Sequence, residues 1–162
     1  MRMHGPTCIF WANLTAFSLE DRTRVILERA QGYAEDRSTP SGFAVDTMWN
    51  FDVAGDGQVY TTVEDLCRWD QRFMDGSEAG AFFELMHERG LLNSGDSIDY
   101  ALGISHGEYR GATTVSHGGA WGGFRANLCR YPTQHLSIAV TCNSGEMQPE
   151  AISQGLADIF LT

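Results

Sequence analysis

The sequence contains no lysine, because each of its 11 basic residues is an arginine. This chain therefore cannot contain a Ser-x-x-Lys nucleophile box, in which lysine lowers the cost of deprotonating the serine hydroxyl. None of the five tyrosines is followed two residues later by asparagine, so a Tyr-x-Asn box is missing as well. The chain therefore lacks two short motifs that can activate a serine hydroxyl as a nucleophile.

Positive charge and long apolar runs are also scarce. The net charge is -10 and the sequence pI is about 4.7, with the arginines scattered along the chain. Nucleic-acid phosphates and anionic membranes both attract clustered basic residues, so we expect neither as a partner. No apolar run approaches the roughly 18 residues of a membrane span, and residues 1–14 lack the order of a secretory signal. These features predict a cytoplasmic protein.

Cysteine and histidine are few and lack metal-ligand spacing. The four cysteines form no Cys-x-x-Cys motif, which predicts reduced thiols in apolar surroundings. We expect no disulfide between Cys129 and Cys142, because they fall in different phases of their strand patterns. His4, His87 and His135 are interpreted as solvated surface residues. We expect neither a metal nor a cofactor.

The most informative stretch is residues 113–143, which reads as a β-meander. Apolar and polar residues alternate over Phe124–Tyr131 and Leu136–Cys142, the period of half-buried strands. Tyr131–Gln134 contains Pro132 and predicts the turn that makes these strands antiparallel. His117, Gly118, Gly119 and Ala120 end a third run, and four glycines within residues 118–123 leave backbone uncovered for a ligand.

The remaining patterns predict helices around this sheet, in a chain long enough to bury about 70% of its unfolded surface. We predict one helix from Thr61 or Thr62 to Gly76, a second over residues 78–88, and a strand over Tyr100–Ser105. A last helix opens at Pro149, with four residues facing inward: Ile152, Leu156, Ile159 and Phe160. The predicted fold class is α+β, an antiparallel β-sheet with covering helices.

The first part of the chain gives weaker signals. Residues 1–17 have no clear period and predict an irregular or foreign segment, and residues 18–162 predict a single domain. Ser18–Asp21 has the form of a helix cap, yet Val25 and Ile26 favour extended structure. We favour an irregular segment leading to a short strand at Gly32-Tyr33, then a loop over residues 34–56.

Several motifs, in order along the chain, resemble the serine β-lactamase-like superfamily, which includes class C β-lactamases, DD-peptidases and family VIII carboxylesterases. His117-Gly118-Gly119 is similar to the superfamily's third conserved box, His-x-Gly or Lys-Thr-Gly. The motif is followed by Gly123-Phe124-Arg125 and by a strand ending in Thr141-x-Asn143. Upstream, residues 55–66 resemble the Gly-Gly-(Leu/Val)-Tyr-Ser-Thr-x-x-Asp-Leu helix start, and residues 29–33 resemble Arg-Ala-x-Gly-Tyr. The resemblance covers roughly residues 20–162.

The resemblance implies roles for the glycine-rich stretch and a class of reaction. His117 would be a polar group on the oxyanion side, and Ala120 would donate its amide to an oxyanion hole. Gly118, Gly119 and Trp121 would contact a small-molecule ester, amide or β-lactam. In the superfamily the two missing boxes lie N-terminal to every matched motif, so the chain resembles the C-terminal part of the fold. A hydrolase fragment of this kind would be weakly active or inactive alone.

Other interpretations of the same residues stay open. Without its nucleophile, the chain could be a non-catalytic ligand-binding or interaction module that retains the fold. The glycines could simply form a tight turn, and a new Ser-His-Asp triad is compatible with the sequence, although no Gly-x-Ser-x-Gly elbow is present. Gly95-Asp96-Ser97 imitates an SGNH-hydrolase motif but lies mid-chain in a polar turn. Apolar surface that the missing elements would cover predicts a homodimer.

Overall fold

The computed structural model describes residues 18–19, 25–46, 57, 59–74 and 81–161. The prediction for residues 1–17 lies outside this part of the chain. The strands, in chain order, are β1 Ser18–Leu19, β2 Tyr33–Glu35, β3 Phe43–Val45, β4 Val59–Tyr60, β5 Ser105–Tyr109, β6 Ala112–Trp121, β7 Phe124–Tyr131 and β8 Leu136–Cys142. The helices are α1 Val63–Met74, α2 Ala81–His87 and α3 Pro149–Phe160.

Strands β5 to β8 form one antiparallel sheet in the order β5-β6-β7-β8, and the alternating patterns over Phe124–Tyr131 and Leu136–Cys142 predict its antiparallel pair β7 and β8. The predicted turn between β7 and β8 is a 3-10 turn over Pro132–Gln134, and His135 follows it with a φ of 50°. With helices packed around this sheet, the α+β prediction is confirmed.

The strand predicted over Tyr100–Ser105 was wrong, because the strand begins at Ser105 and runs to Tyr109. Residues 101–104 form a turn in which the Ala101 N–H donates to the Ile104 carbonyl at 2.8 Å and Gly103 has a φ of 75°. The apolar residues of this segment alternate in the sequence as they would in a half-buried strand, which explains the wrong prediction. Tyr100 and Ser105, the two ends of the predicted strand, instead form an isolated antiparallel bridge with each other.

One face of the sheet packs against α3. The core here contains Cys129 and Tyr131 of β7, Ile138 of β8, Ala112 of β6 and Ala157 of α3. Cys67, Cys129 and Cys142 are free thiols, as predicted. The pairing of Cys129 with Ile138 places Cys129 and Cys142 on one face, so they are separated along the strands and not by opposite phases.

Helix α3 begins at Pro149 as predicted, but the prediction of its inward face was wrong. Ser153 and Ala157 are its buried residues. Ile159 and Phe160, predicted to face inward, are 67% and 64% exposed, and Ile152 and Leu156 are also exposed. Small side chains on the inner face let the helix approach the sheet closely, which moves the larger apolar residues outward.

The opposite face of the sheet contacts α1 through a buried polar cluster. Thr62 caps this helix, since its Oγ1 accepts from the Asp65 N–H at 3.2 Å. Asp70 accepts hydrogen bonds from the Arg130 guanidinium of β7 and from the Ser137 hydroxyl of β8. Because Asp70 and Arg130 are both buried, the pair connects α1 to two strands at one point.

Two short ribbons complete the described structure. Strand β1 pairs with β4, and β2 pairs with β3 through the register Tyr33↔Val45. Strand β2 agrees with the predicted short strand, whereas β3 lies in a stretch predicted to be loop. Within the described residues, no helix has the length and apolar character needed to cross a membrane.

Candidate functional site

The distal half of β6 has a neighbour on one side only in the described structure. Its partner β5 ends opposite Ser116, whereas β7 continues to pair with β6 as far as Trp121. Successive residues of a strand direct their backbone groups alternately to its two sides. Alternate amides between His117 and Trp121 therefore face an unpaired edge, which a ligand could approach.

The residues predicted as a site lie along this edge. His117, Gly118, Gly119 and Ala120 are exposed, while Trp121 is half-buried at the end of the strand. The fold thus places all five on one continuous segment. The sequence pattern predicts a strand over Thr113–Gly118, and β6 continues beyond it to Trp121.

Tyr100 also lies at this edge, and the sequence analysis did not identify it as a site residue. Its hydroxyl is 3.3 Å from His117 Nε2, and the two ring centroids are 6.5 Å apart. The turn over residues 101–104 brings Tyr100 beside β6, so no local period signals the contact. A tyrosine two residues before the turn pair Leu102-Gly103 was the available clue.

Packing against the described residues does not explain why Gly118 and Gly119 are glycines. A Cβ added at Gly118 would lie 3.6 Å from the Ala126 carbonyl oxygen, and one at Gly119 would lie 3.6 Å from the Ala126 Cβ. Both distances are ordinary van der Waals contacts, so a side chain would fit. What the glycines provide is bare backbone on the exposed side.

Gly123, in contrast, is required by a close backbone crossing. A Cβ at this position would lie 2.3 Å from Tyr33 N and 2.6 Å from the Gly32 carbonyl carbon. Gly32 is equally tight, since its own Cβ would meet the Phe124 ring at 2.8 Å. The crossing holds the segment before β2 against the turn between β6 and β7.

Motifs that are far apart in the sequence converge at this end of the sheet. The Tyr33 N–H donates to the Asn143 carbonyl at 3.0 Å, and Asn143 Nδ2 donates to the Gln31 carbonyl at 3.0 Å. Arg29 lies 4.4 Å above the Tyr60 ring, which makes an edge contact with Phe124. The motifs at residues 29–33, 60, 123–125 and 143 thus form one platform under the end of β6.

Arg125 stabilises the turn itself. Its Nη1 donates to the carbonyls of Gly122 at 2.8 Å and Phe124 at 2.7 Å. Gly122 has a φ of 47°, a conformation that glycine adopts without steric cost. The last pairs of β6 are therefore held rigidly next to the open edge.

A second histidine lies on β5, opposite Val115 of β6. His106 is 5.9 Å from the His87 ring of α2, and its Nε2 is buried without a hydrogen-bond partner in the described structure. Burial lowers the pKa of His106, and the nearby Arg89 and His87 lower it further. A neutral imidazole at this position packs α2 against the sheet.

The arrangement at the open edge can bind and polarise a carbonyl group. Strand amides supply donors, and the His117 imidazole with the Tyr100 hydroxyl supplies two more polar groups. Ser116 precedes this segment but belongs to the opposite phase of the strand from His117. Among the described residues, no group of three or more His, Cys, Asp or Glu side chains is placed to hold a metal ion.

Comparison with known proteins identifies the family and the fold. The sequence profile of the β-lactamase family matches residues 12–159. Penicillin-binding protein 4* of Bacillus subtilis (strain 168) is 30% identical over 96 residues, which are 58% of this chain and 21% of that protein. The chain therefore spans about a fifth of the length of this relative.

Solved structures show the same fold. A penicillin-binding protein homologue from Pyrococcus abyssi, described as octameric, matches with a TM-score of 0.78 and 18% identity over 94% of this chain and 35% of that chain. A penicillin binding protein from Bacillus halodurans matches with a TM-score of 0.72 and 18% identity, over 96% of this chain and 48% of that chain. The chain belongs to the β-lactamase family.

Proposed function

We propose that the open edge of β6 is the acyl-binding side of a serine-type hydrolase site for ester, amide or β-lactam bonds. The observation that supports this most directly is the stretch of β6 beside the Tyr100 and His117 pair, which has bare glycine backbone between His117 and Ala120 and no strand of the described residues on the side away from β7. A carbonyl at this edge would meet backbone donors that are already oriented, which stabilises charge developing on its oxygen.

Each residue of the edge has a proposed role. Ala120 donates its amide to the oxyanion, and His117 is the polar side chain next to it. Gly118 and Gly119 allow the ligand to approach the backbone closely, and Trp121 borders the ligand at the end of the strand. Residues 18–162 act as one domain in this proposal.

The chain lacks the Ser-x-x-Lys box that would complete such a site, so we propose that it is at most weakly active alone. An oxyanion hole without nucleophile and base loses most of the rate. Assays of the purified chain with p-nitrophenyl acetate and nitrocefin should show turnover well below about 1 per second. Turnover at that level, with stoichiometric labelling of one serine by an active-site probe, would contradict the proposal.

The second candidate is a non-catalytic ligand-binding module, and the absence of lysine from the chain favours it. Both candidates predict binding of a boronic acid or an acyl analogue at the edge. They differ when a polypeptide that supplies Ser-x-x-Lys is added. If hydrolysis is recovered, the chain is one part of a hydrolase site. If the chain binds the ligand and the added polypeptide changes neither binding nor hydrolysis, the chain is a non-catalytic binding module.

We also propose that the chain forms a homodimer. Helix α3 presents four exposed apolar side chains, and β8 is an edge strand of the described sheet. An unpaired strand edge and an apolar helix face are both surfaces that a second copy can cover.

A further inference from the structure

A cavity of about 230 Å³ lies between α3 and the face of the sheet on which Ser116 and Cys129 form a cross-strand pair. Its floor contains Thr114 and Ser116 of β6 and Asn127, Cys129 and Tyr131 of β7. Glu150, Ser153 and Gln154 of α3 form one wall. Apolar side chains usually fill the space between a helix and a sheet, yet hydroxyl and amide groups dominate this lining.

Three deeply buried polar atoms of this lining have no hydrogen-bond partner in the described structure: Asn127 Oδ1, Tyr131 OH and Ser153 Oγ. Their residues are 7%, 0% and 1% exposed. Nearly all buried polar groups in proteins are hydrogen-bonded, and an orphaned one costs about 1–3 kcal/mol. Three such atoms around one cavity indicate that something in the cavity bonds to them.

Of the three atoms, Tyr131 OH has a neighbour that can form a weak hydrogen bond, the Cys129 thiol. Burial is the main cause that raises the pKa of Tyr131, so its phenol keeps its proton and can still donate it. The Cys129 sulfur beside it is a weak hydrogen-bonding group, and burial raises the pKa of that thiol as well. The three orphaned atoms thus belong to uncharged groups, and the two hydroxyls among them can both donate and accept.

The charges at the cavity decide which ligands fit. Glu108 and Glu150 are exposed at its rim, and no lysine or arginine lines it. An anion would meet carboxylates without a counter-charge, so anions are disfavoured. The orphaned amide oxygen requires a donor, and the hydroxyls accept either role, which matches a ligand with several hydroxyl groups.

The volume sets the size of the ligand. Pockets for drug-sized molecules measure about 300–1,000 Å³, so this cavity is smaller than those. Gly107 keeps it open, because a Cβ there would lie 3.1 Å from Thr114 Oγ1. We propose that the cavity is a binding site for a small neutral polyol, on the opposite side of β6 from His117.

Glycerol titrations of the full chain, followed by two-dimensional NMR of the backbone amides, test this proposal. We expect saturable shifts at the amides of Ser116, Asn127 and Ser153 that are absent when phosphate replaces glycerol. Ser153→Ala removes one orphaned hydroxyl, which is not expected to cost stability. The affinity should fall about fivefold, as expected for the loss of one hydrogen bond.

Two further variants make the result decisive. Gly107→Ala narrows the cavity without removing any polar group and should also weaken glycerol binding. Thr113→Ala removes an exposed hydroxyl next to the cavity residue Thr114 and should bind like the wild type. Shifts that stay linear with glycerol, or that are equal in the wild type and Ser153→Ala, would overturn the proposal and leave a cavity that holds water only. Melting temperature is not the readout, because polyols stabilise proteins generally by exclusion from their surface.

Discussion

At the scale of single residues, His117 is the side chain with the clearest contribution to the proposed site. It is exposed on a stretch of β6 that pairs with β7 alone among the described strands, and its described polar contact is the Tyr100 hydroxyl at 3.3 Å. An exposed residue with few contacts contributes little to the free energy of unfolding. Its role should therefore be visible in binding and not in stability.

We predict that His117→Ala leaves the melting temperature within about 2 °C of wild type, since exposed substitutions usually change stability by less than about 0.5 kcal/mol. The same substitution should weaken the affinity for a boronic acid about tenfold, as for the loss of a strong polar contact. Calorimetry measures both quantities. His135→Asn, at an exposed turn position, is the control and should change neither. A large loss of stability with unchanged binding would make His117 a structural residue.

His106 predicts a dependence of stability on pH. Burial lowers its pKa in the folded chain below the usual 6.5, so the unfolded chain binds more protons between the two pKa values. The free energy of unfolding should therefore fall as the pH drops from about 6.5 towards the folded pKa. Urea unfolding at a series of pH values measures this slope. His106→Gln should flatten it, and His135→Asn should leave it unchanged. Equal slopes in wild type and His106→Gln would refute the assignment.

At the scale of elements, α1 is joined to the sheet mainly through a polar contact. Asp70 of this helix and Arg130 of β7 form a buried ion pair, and Ser137 of β8 donates to the same carboxylate. Removing one member of a buried pair leaves an uncompensated charge in a poorly solvated place. The contact between these elements should be correspondingly sensitive.

Asp70→Ala should lower the free energy of unfolding by about 3–5 kcal/mol, the usual cost of breaking a buried ion pair. Asp99→Ala is a matched control, because its carboxylate is 77% exposed and pairs with Arg89 at 2.8 Å. That substitution should cost no more than about 1 kcal/mol. Urea denaturation gives both values, and equal costs would show that burial of the Asp70 pair has no energetic consequence.

The turn between β6 and β7 depends on one glycine. Gly123→Ala would place a Cβ 2.3 Å from Tyr33 N, so the backbone crossing with residues 32–33 must open. We expect a loss of about 2 kcal/mol or more, in the range of overpacked cores. Residue 155 is an exposed position of α3, and a Cβ added there would have no described atom within 4 Å. Gly155→Ala should therefore raise the free energy of unfolding by up to about 1 kcal/mol. Equal melting temperatures for the two variants would contradict the crossing.

At the scale of the whole molecule, the outward face of α3 is the basis of the proposed homodimer. Ile152, Leu156, Ile159 and Phe160 lie on one helix and are all exposed. A contiguous apolar patch of several hundred Å² is unusual on a soluble monomer and typically marks an interaction surface. A second copy is the partner that the chain always has available.

Sedimentation equilibrium should give a mass about twice the 17.9 kDa of one chain. Ile159→Glu places a charge on the patch and should shift the equilibrium to monomer. Leu27→Glu, at an 83% exposed position before β2, is the control and should leave the mass unchanged. A monomer for the wild type at high micromolar concentration, with no dye-accessible apolar patch, would refute the dimer.

The sequence by itself determined part of the local structure of this protein and excluded one kind of nucleophile motif. Alternation over Phe124–Tyr131 and Leu136–Cys142, the proline turn between them, and the start of α3 at Pro149 all follow from short-range preferences. The absence of lysine excludes a Ser-x-x-Lys box in this chain, whatever its fold. Motif order was enough to predict the family and to select the strand that contains His117.

The tertiary structure decided which of these elements meet, and with which faces. The inward side of α3 is Ser153 and Ala157, because close packing on the sheet favours small residues over the apolar stripe that periodicity selects. Tyr100 reaches His117 through a turn that imitates strand alternation, and Asp70 meets Arg130 across 60 residues. Contacts between distant segments depend on how whole elements pack, so a local pattern of residues does not predict them.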